Sequence, residues 1–238
     1  MQVVILAGGL GTRMRSVKSG IPKCLIPVAG RPFADHQLSW LARQGVSDVL
    51  YSIGYLGERV RAFAGKGARW NLNIRYVDEG THLRGTAGAL RLALDADMLE
   101  ERFVVVYGDS YLDVDLIEVG AAHRASGLPA LMTVYRNAGR WEESNAAFDG
   151  TLVTRYEKHC PETPPDMCFV DYGLSSLTRS VVERHVASDA ASDLASLYSL
   201  LSRKGQLGGF EVYTRFYEIG SPEGLRELED HLASSSST

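Results

Sequence analysis

The 238-residue chain is short of several things, and each shortage narrows what it does. It has three cysteines, Cys24, Cys160 and Cys168, an odd count without regular spacing. That argues against a disulfide framework and for free thiols in a reducing cytoplasm. No CxxC occurs, and the six histidines form no HxH or HExxH pair, so the common metal-ligand patterns are missing. No run approaches the ~18 apolar residues of a membrane span. The short apolar run Val3–Ala7 follows no basic region and leads straight into glycines, unlike a secretory signal. A surplus of basic charge is also absent: the net charge of −4 disfavours a nucleic-acid partner.

What is present describes a folded α/β chain. Hydrophobic residues make up 45% and charged residues 23%, ordinary values for a globular protein. The length suits a single domain over residues 1–233, followed by a polar tail, Ser234–Thr238, expected to be disordered. Continuous apolar runs predict strands at Gln2–Leu6, Asp48–Ile53, Ile74–Val77 and Phe103–Tyr107. Helical spacing predicts helices over Phe33–Arg43, Thr86–Ala96 and Asp113–Ala125. The second half is less regular, with strands expected at Ala130–Tyr135, Leu152–Lys158, Phe169–Leu174, Phe210–Tyr213 and Phe216–Ile219. Asp193–Arg203 reads as a helix, Cys160–Asp166 as a loop, and Ser221-Pro222 as the capped start of a last helix. Strand and helix in alternation imply a three-layer α/β/α, Rossmann-like architecture with a mixed, mostly parallel central sheet.

The charges are unevenly spread. Residues 1–34 hold Arg13, Arg15, Lys18, Lys23 and Arg31 and no acid, leaving −9 on the rest of the chain. The first strand runs into Leu6-Ala7-Gly8-Gly9-Leu10-Gly11-Thr12-Arg13. Glycines there let backbone amides face an anion beyond the strand ends, with Arg13 as a charge-assisted donor. Two familiar phosphate motifs are excluded. A GxGxxG fingerprint fails at Met14, and Lys18-Ser19 follows Val17 where a P-loop needs glycine.

That turn, then Pro22-Lys23 after eight residues, then Pro27-Val28, resembles the signature of the sugar-phosphate nucleotidyltransferases, which include mannose-, glucose- and heptose-1-phosphate enzymes. The resemblance continues through Glu79-Gly80, Gly85-Thr86-Ala87-Gly88, Gly108-Asp109, Glu157-Lys158, Asp171-Tyr172-Gly173 and Glu218-Ile219-Gly220. It implies an in-line attack by a sugar phosphate on the α-phosphorus of a nucleoside triphosphate, with pyrophosphate leaving. It also implies a nucleotide-binding part over about residues 1–128 and a sugar-binding part over about 129–233.

By the same resemblance Arg13 grips the triphosphate, and Lys23 stands near the α-phosphate and the attacking phosphate. Asp109 and Glu218 hold Mg²⁺. Leu6, Ala7, Gly8, Gly9, Gly11, Thr12, Glu79, Gly85 and Thr86 line the nucleotide. Lys23, Glu157, Lys158, Asp171 and Gly173 serve the sugar phosphate. Two positions depart from the family pattern: Glu218 stands where aspartate is usual, and Asp171 where asparagine is usual. A carboxylate only accepts hydrogen bonds, and guanine offers adjacent N1–H and N2–H donors, so Glu79 at the base edge favours GTP. The overall pattern is nearest the short heptose- and mannose-1-phosphate guanylyltransferases, acting in the cytoplasm with no nucleic-acid or membrane partner. A homo-oligomer is compatible with it. A uridylyltransferase for an amino-sugar phosphate, a guanylyltransferase for a cyclitol-like phosphate and a non-catalytic regulatory homologue are the alternatives.

Overall fold

The computed structural model of the chain describes residues 1–9, 20–137, 140, 143–158, 160, 162–188 and 190–235. Gly11, Thr12 and Arg13 lie outside the described residues, as do 236–238 of the tail. Along the chain run β1 (Gln2–Leu6), β2 (Pro27–Val28), β3 (Arg31–Pro32), α1 (Phe33–Arg43), β4 (Asp48–Ile53), α2 (Gly57–Ala64), β5 (Asn73–Asp78) and α3 (Gly85–Asp95). Next come β6 (Arg102–Tyr107), β7 (Ser110–Tyr111), α4 (Leu116–Ser126), β8 (Ala130–Arg136), β9 (Ala146–Phe148), β10 (Val153–Tyr156) and β11 (Phe169–Thr178). The order ends with α5 (Arg179–His185), α6 (Leu194–Arg203), β12 (Leu207–Val212), β13 (Tyr217–Glu218) and α7 (Pro222–Ser235). The expected α/β architecture, a mixed central sheet with helices, is present.

The chain forms two compact units, each assembled from separate stretches of sequence. Met1–Leu83, Val106–Leu112 and Phe216–Thr238 make unit 1; Arg84–Val105 and Asp113–Arg215 make unit 2. In unit 1, β1, β4 and β5 pair in parallel, Gln2 opposite Asp48 and Asp48 opposite Asn73. Val3, Val4, Ile5, Leu50, Tyr51 and Ile53 are fully buried, as expected of strands covered on both faces. Bonding continues past the end of β1: Ala7 N donates to Ser52 O (2.9 Å) and Gly108 N to Leu6 O (2.9 Å). Glycine is required at those crossings. A Cβ on Gly54 would lie 2.9 Å from Gly8 O, and one on Gly108 would lie 2.9 Å from the Ala7 Cβ. A second small core, Ile26, Val28, Phe33, Ile219 and Leu228, joins the β2–β3 hairpin to α7. Ser221 caps α7 as expected, its Oγ accepting from Gly224 N at 3.0 Å.

In unit 2, β8 pairs with β11 antiparallel and with β12 in parallel, and β9 pairs with β10 and β11. The β8–β11 register slips between Asp171 and Ser175, so that residues 172–174 face Thr133 alone. Gly173 sits in that bulge at φ +95°, and the Asp171 carboxylate accepts from its N–H at 2.9 Å. His123 on α4 is buried between Ser176 Oγ (2.6 Å) and Leu128 O (3.0 Å).

Some elements differ from the sequence reading. The helix expected from Asp113 starts at Leu116, because Asp115 accepts from Ile117 N (2.7 Å) and Glu118 N (3.2 Å) and so becomes its N-cap. The strand expected to stop at Leu174 runs on to Thr178 through the bulge. Helices α2 and α5 escaped the pattern search because they are short, eight and seven residues, and charged for much of their length.

Candidate active site

In unit 1 the candidate residues Asp109, Glu218 and Lys23 gather where β6 gives way to β7. Gly108 lets the chain pass close over Ala7, and Asp109 follows at once. Strand β13 pairs with β7, Glu218 opposite Ser110, and Ile219 N donates to Asp109 O at 3.0 Å. Two carboxylate-bearing residues 109 positions apart in sequence thus sit on adjoining backbone. Lys23 Nζ forms an ion pair with Asp109 Oδ2. Both side chains are mostly shielded, 17% and 28% exposed, so the pair is held more firmly than an open surface pair. Lys23 itself opens a 3₁₀ turn, Lys23–Leu25, that leads into the small core of Ile26 and Val28.

The buried amide of Gln37 brackets Asp109. Its Nε2 donates to Tyr107 O (2.8 Å) and Ser110 O (3.2 Å), fixing the backbone on either side. Gln37 carries no motif in the sequence. A polar residue on an otherwise apolar helical face was the available signal. Cys24, next to Lys23, is a core residue whose thiol burial pushes up to about 12, which makes it unreactive.

Glu79 lies against the glycine turn. Its carboxylate would stand 2.3 Å from a Cβ on Gly8, and its N–H donates to Ile53 O at 2.9 Å. At the second turn glycine, Gly9, an added Cβ meets nothing within 4 Å among the described residues. The Glu218 carboxylate folds over Gly220, where a Cβ would lie 2.8 Å from each of its oxygens. The missing side chain at 220 makes room for the longer acid.

In unit 2 the glycines near α3 have a different neighbour. A Cβ on Gly85 would lie 2.6 Å from Ser192 O, and Gly85 has φ +72°. Ser192 O accepts from Ala87 N (2.9 Å) and Gly88 N (3.0 Å), and Asp193 Oδ1 accepts from Thr86 N (3.2 Å). Thr86 Oγ1 in return accepts from Leu194 N (2.8 Å), so the first turns of α3 and α6 cap each other. At Gly85, which the family resemblance gave to the nucleotide, the close neighbour is the chain's own backbone.

Also in unit 2, Glu157 follows β10, with its carboxylate held by Arg155 Nε and a second guanidinium nitrogen, both at 2.9 Å. That contact lowers the Glu157 pKa and keeps it ionised. Lys158 is exposed. Asp171 stands near two buried phenols, Tyr156 and Tyr198, whose pKa values rise through burial first and the Asp171 charge second. Asn145 ties the segments together: its N–H donates to Phe169 O, its C=O accepts from Glu157 N, and its Oδ1 accepts from Asp171 N, all at 2.9 Å. Sequence reading passed over Asn145, which carries no motif.

Parallel strands with a glycine turn after β1 and an ion-paired carboxylate after β6 make an α/β arrangement. The chain belongs to the family of MobA-like NTP transferase domains, which it matches over residues 3–203. It is 36% identical over 245 residues to the D-glycero-α-D-manno-heptose 1-phosphate guanylyltransferase of Aneurinibacillus thermoaerophilus, covering 98% of each chain. It is 33% identical over 233 residues to the mannose-1-phosphate guanyltransferase of Schizosaccharomyces pombe. That alignment takes in 94% of this chain but 62% of that relative, less than two thirds of its length. Among solved structures, HddC from Yersinia pseudotuberculosis superposes with a TM-score of 0.77 at 22% identity, over 97% of this chain and 99% of that one, a likeness of fold.

Proposed function

We propose that this chain joins GTP to a sugar 1-phosphate, a heptose or hexose, giving a nucleoside-diphosphate sugar and pyrophosphate. The observation that carries the reading is the Lys23–Asp109 pair with Glu218 on the adjoining strand. Likeness along the whole length to a heptose 1-phosphate guanylyltransferase supports it. Two polyanions repel, so the protein's task is to position them and to neutralise charge as the α-phosphorus is attacked. Lys23 supplies a point charge for the phosphates, and Arg13 of the signature supplies a planar donor for the leaving pyrophosphate. Gly9, with no described residue within 4 Å of an added Cβ, gives the phosphates access to backbone, and Glu79 accepts from the guanine edge. Glu157 and Asp171 accept from sugar hydroxyls.

The residues suit a magnesium ion. Asp109, in the turn just before β7, and Glu218, on the strand that pairs with β7, are hard oxygen donors, and no cluster of three His, Cys, Asp or Glu exists among the described residues. Mg²⁺ needs no fuller cage, since it takes one or two carboxylates and completes its shell with phosphate and water. Bound there, it supplies further neutralisation of phosphate charge. No helix among the described residues is long and apolar enough to cross a membrane.

The test is pyrophosphate release with Mg²⁺ across GTP, UTP, dTTP, CTP and ATP against a panel of sugar 1-phosphates. Release that requires GTP and a heptose or mannose 1-phosphate together is expected. Preference for UTP would refute the guanine role of Glu79 and favour the amino-sugar uridylyltransferase. GTP binding without release from any pair would favour a regulatory role.

A further inference from the structure

Asn145 is placed by three separate bonds between the segments that carry Glu157 and Asp171. Its carboxamide orientation follows from chemistry. A backbone N–H only donates, so the atom facing Asp171 N must be the carbonyl oxygen, and the Nδ2 hydrogens must point elsewhere. Among the described residues no protein acceptor takes them, and Asn145 is half-exposed rather than buried, so they remain available to a ligand.

What surrounds that donor decides its guest. Glu157 is kept ionised by Arg155, and Asp171 charges the neighbourhood of Tyr156 and Tyr198. A phosphate would be repelled by two carboxylates. A hydroxyl group is suited to them, because it donates to a carboxylate while accepting from an amide. Resting on the functional reading above, we propose that Asn145 is a specificity-determining residue that donates from Nδ2 to a hydroxyl of the sugar ring. It thereby supplies the amide donor that Asp171, standing where asparagine is usual, cannot. The pair then reads a polyol with one donor and one acceptor side chain.

The variant Asn145→Asp keeps an oxygen for Asp171 N and nearly the same shape, but removes the donor. The KM for mannose 1-phosphate should rise about tenfold or more. The KM for GTP and the unfolding midpoint should stay near wild type. A third carboxylate also repels a sugar phosphate by charge alone, so the deciding readout is a panel of monodeoxy mannose 1-phosphates. In wild type, loss of one particular hydroxyl should carry a penalty, and in Asn145→Asp that penalty should shrink, because the donation from Nδ2 is gone while carboxylates can still accept from the hydroxyl. The same deoxy profile in both proteins would overturn the proposal. Should wild type release no pyrophosphate with any pair, the functional reading falls, and calorimetry with mannose 1-phosphate alone decides for Asn145. Binding by wild type that the variant loses supports the assignment; equal binding, or none in either, overturns it.

Discussion

Gly8-Gly9 in unit 1 and Gly85 with Gly88 in unit 2 look alike in sequence: small residues in a turn, expected to let backbone approach a phosphate-bearing ligand. The structure separates them. No described residue comes within 4 Å of a Cβ placed on Gly9, whereas one on Gly85 would lie 2.6 Å from Ser192 O, and Gly85 adopts φ +72°. The amides at the start of α3 are likewise taken, by Ser192 O and Asp193 Oδ1. A glycine-rich stretch therefore signals only that something comes close to the backbone. In unit 2 the chain closes a helix start with its own residues, which no described residue does at Gly9.

The largest effect expected from breaking this contrast lies in unit 1. Asp109→Asn should lower turnover by several kcal/mol in the transition state, on the order of a thousandfold, while urea unfolding stays close to wild type. Near-normal pyrophosphate release would remove Asp109 from the chemistry. The two glycine regions should next respond in opposite ways. Gly85→Ala should destabilise the fold by about 1–3 kcal/mol from its left-handed conformation alone, with the Ser192 contact adding to that. Gly9→Ala should leave stability within about 0.5 kcal/mol of wild type yet raise the KM for GTP. Equal loss of stability in the two would show that the turn at Gly9 is packed after all.

The reciprocal caps offer a finer test. Thr86→Val should cost about 1 kcal/mol of unfolding free energy. Combined with Asp193→Ala the losses should fall short of additive, because both changes break the same cap. Full additivity would separate the two residues. The smallest expected effect concerns pH in unit 2. Burial first, and the Arg102 charge second, hold the His123 ring below its ordinary 6.5, so the folded chain favours the neutral ring. The unfolded chain then takes up the proton first as pH falls. The stability that neutral His123 allows is complete above about pH 6.5 and is lost on descending through the folded value. Unfolding midpoints of wild type should fall more steeply between about pH 7.5 and 5 than those of His123→Gln, and parallel curves would contradict this.

Much of this chain was legible before any coordinates. Strands Gln2–Leu6 and Asp48–Ile53 and helix Phe33–Arg43 begin and end where periodicity and composition put them. Their signal is local: buried parallel strands need unbroken apolar runs, and an amphipathic helix needs its 3.6-residue spacing. The family was legible too, from a turn whose spacing is set by glycines, a lysine and two prolines within one stretch. Helix ends were less so, since the cap that starts α4 is Asp115 rather than Asp113, and only hydrogen-bond geometry distinguishes two aspartates in such a turn.

Sequence by itself determined the α/β class, the family and the residue types available for catalysis, because these follow from short-range pattern and from chemistry each side chain carries alone. Tertiary structure alone decided which of those residues meet. Lys23 pairs with Asp109 across 86 positions, Gln37 reaches the carbonyls of Tyr107 and Ser110, and Asn145 joins Glu157 to Asp171. Contacts over such separations depend on strand register and on a glycine being absent of side chain at the crossing, and neither is written in any local run of residues.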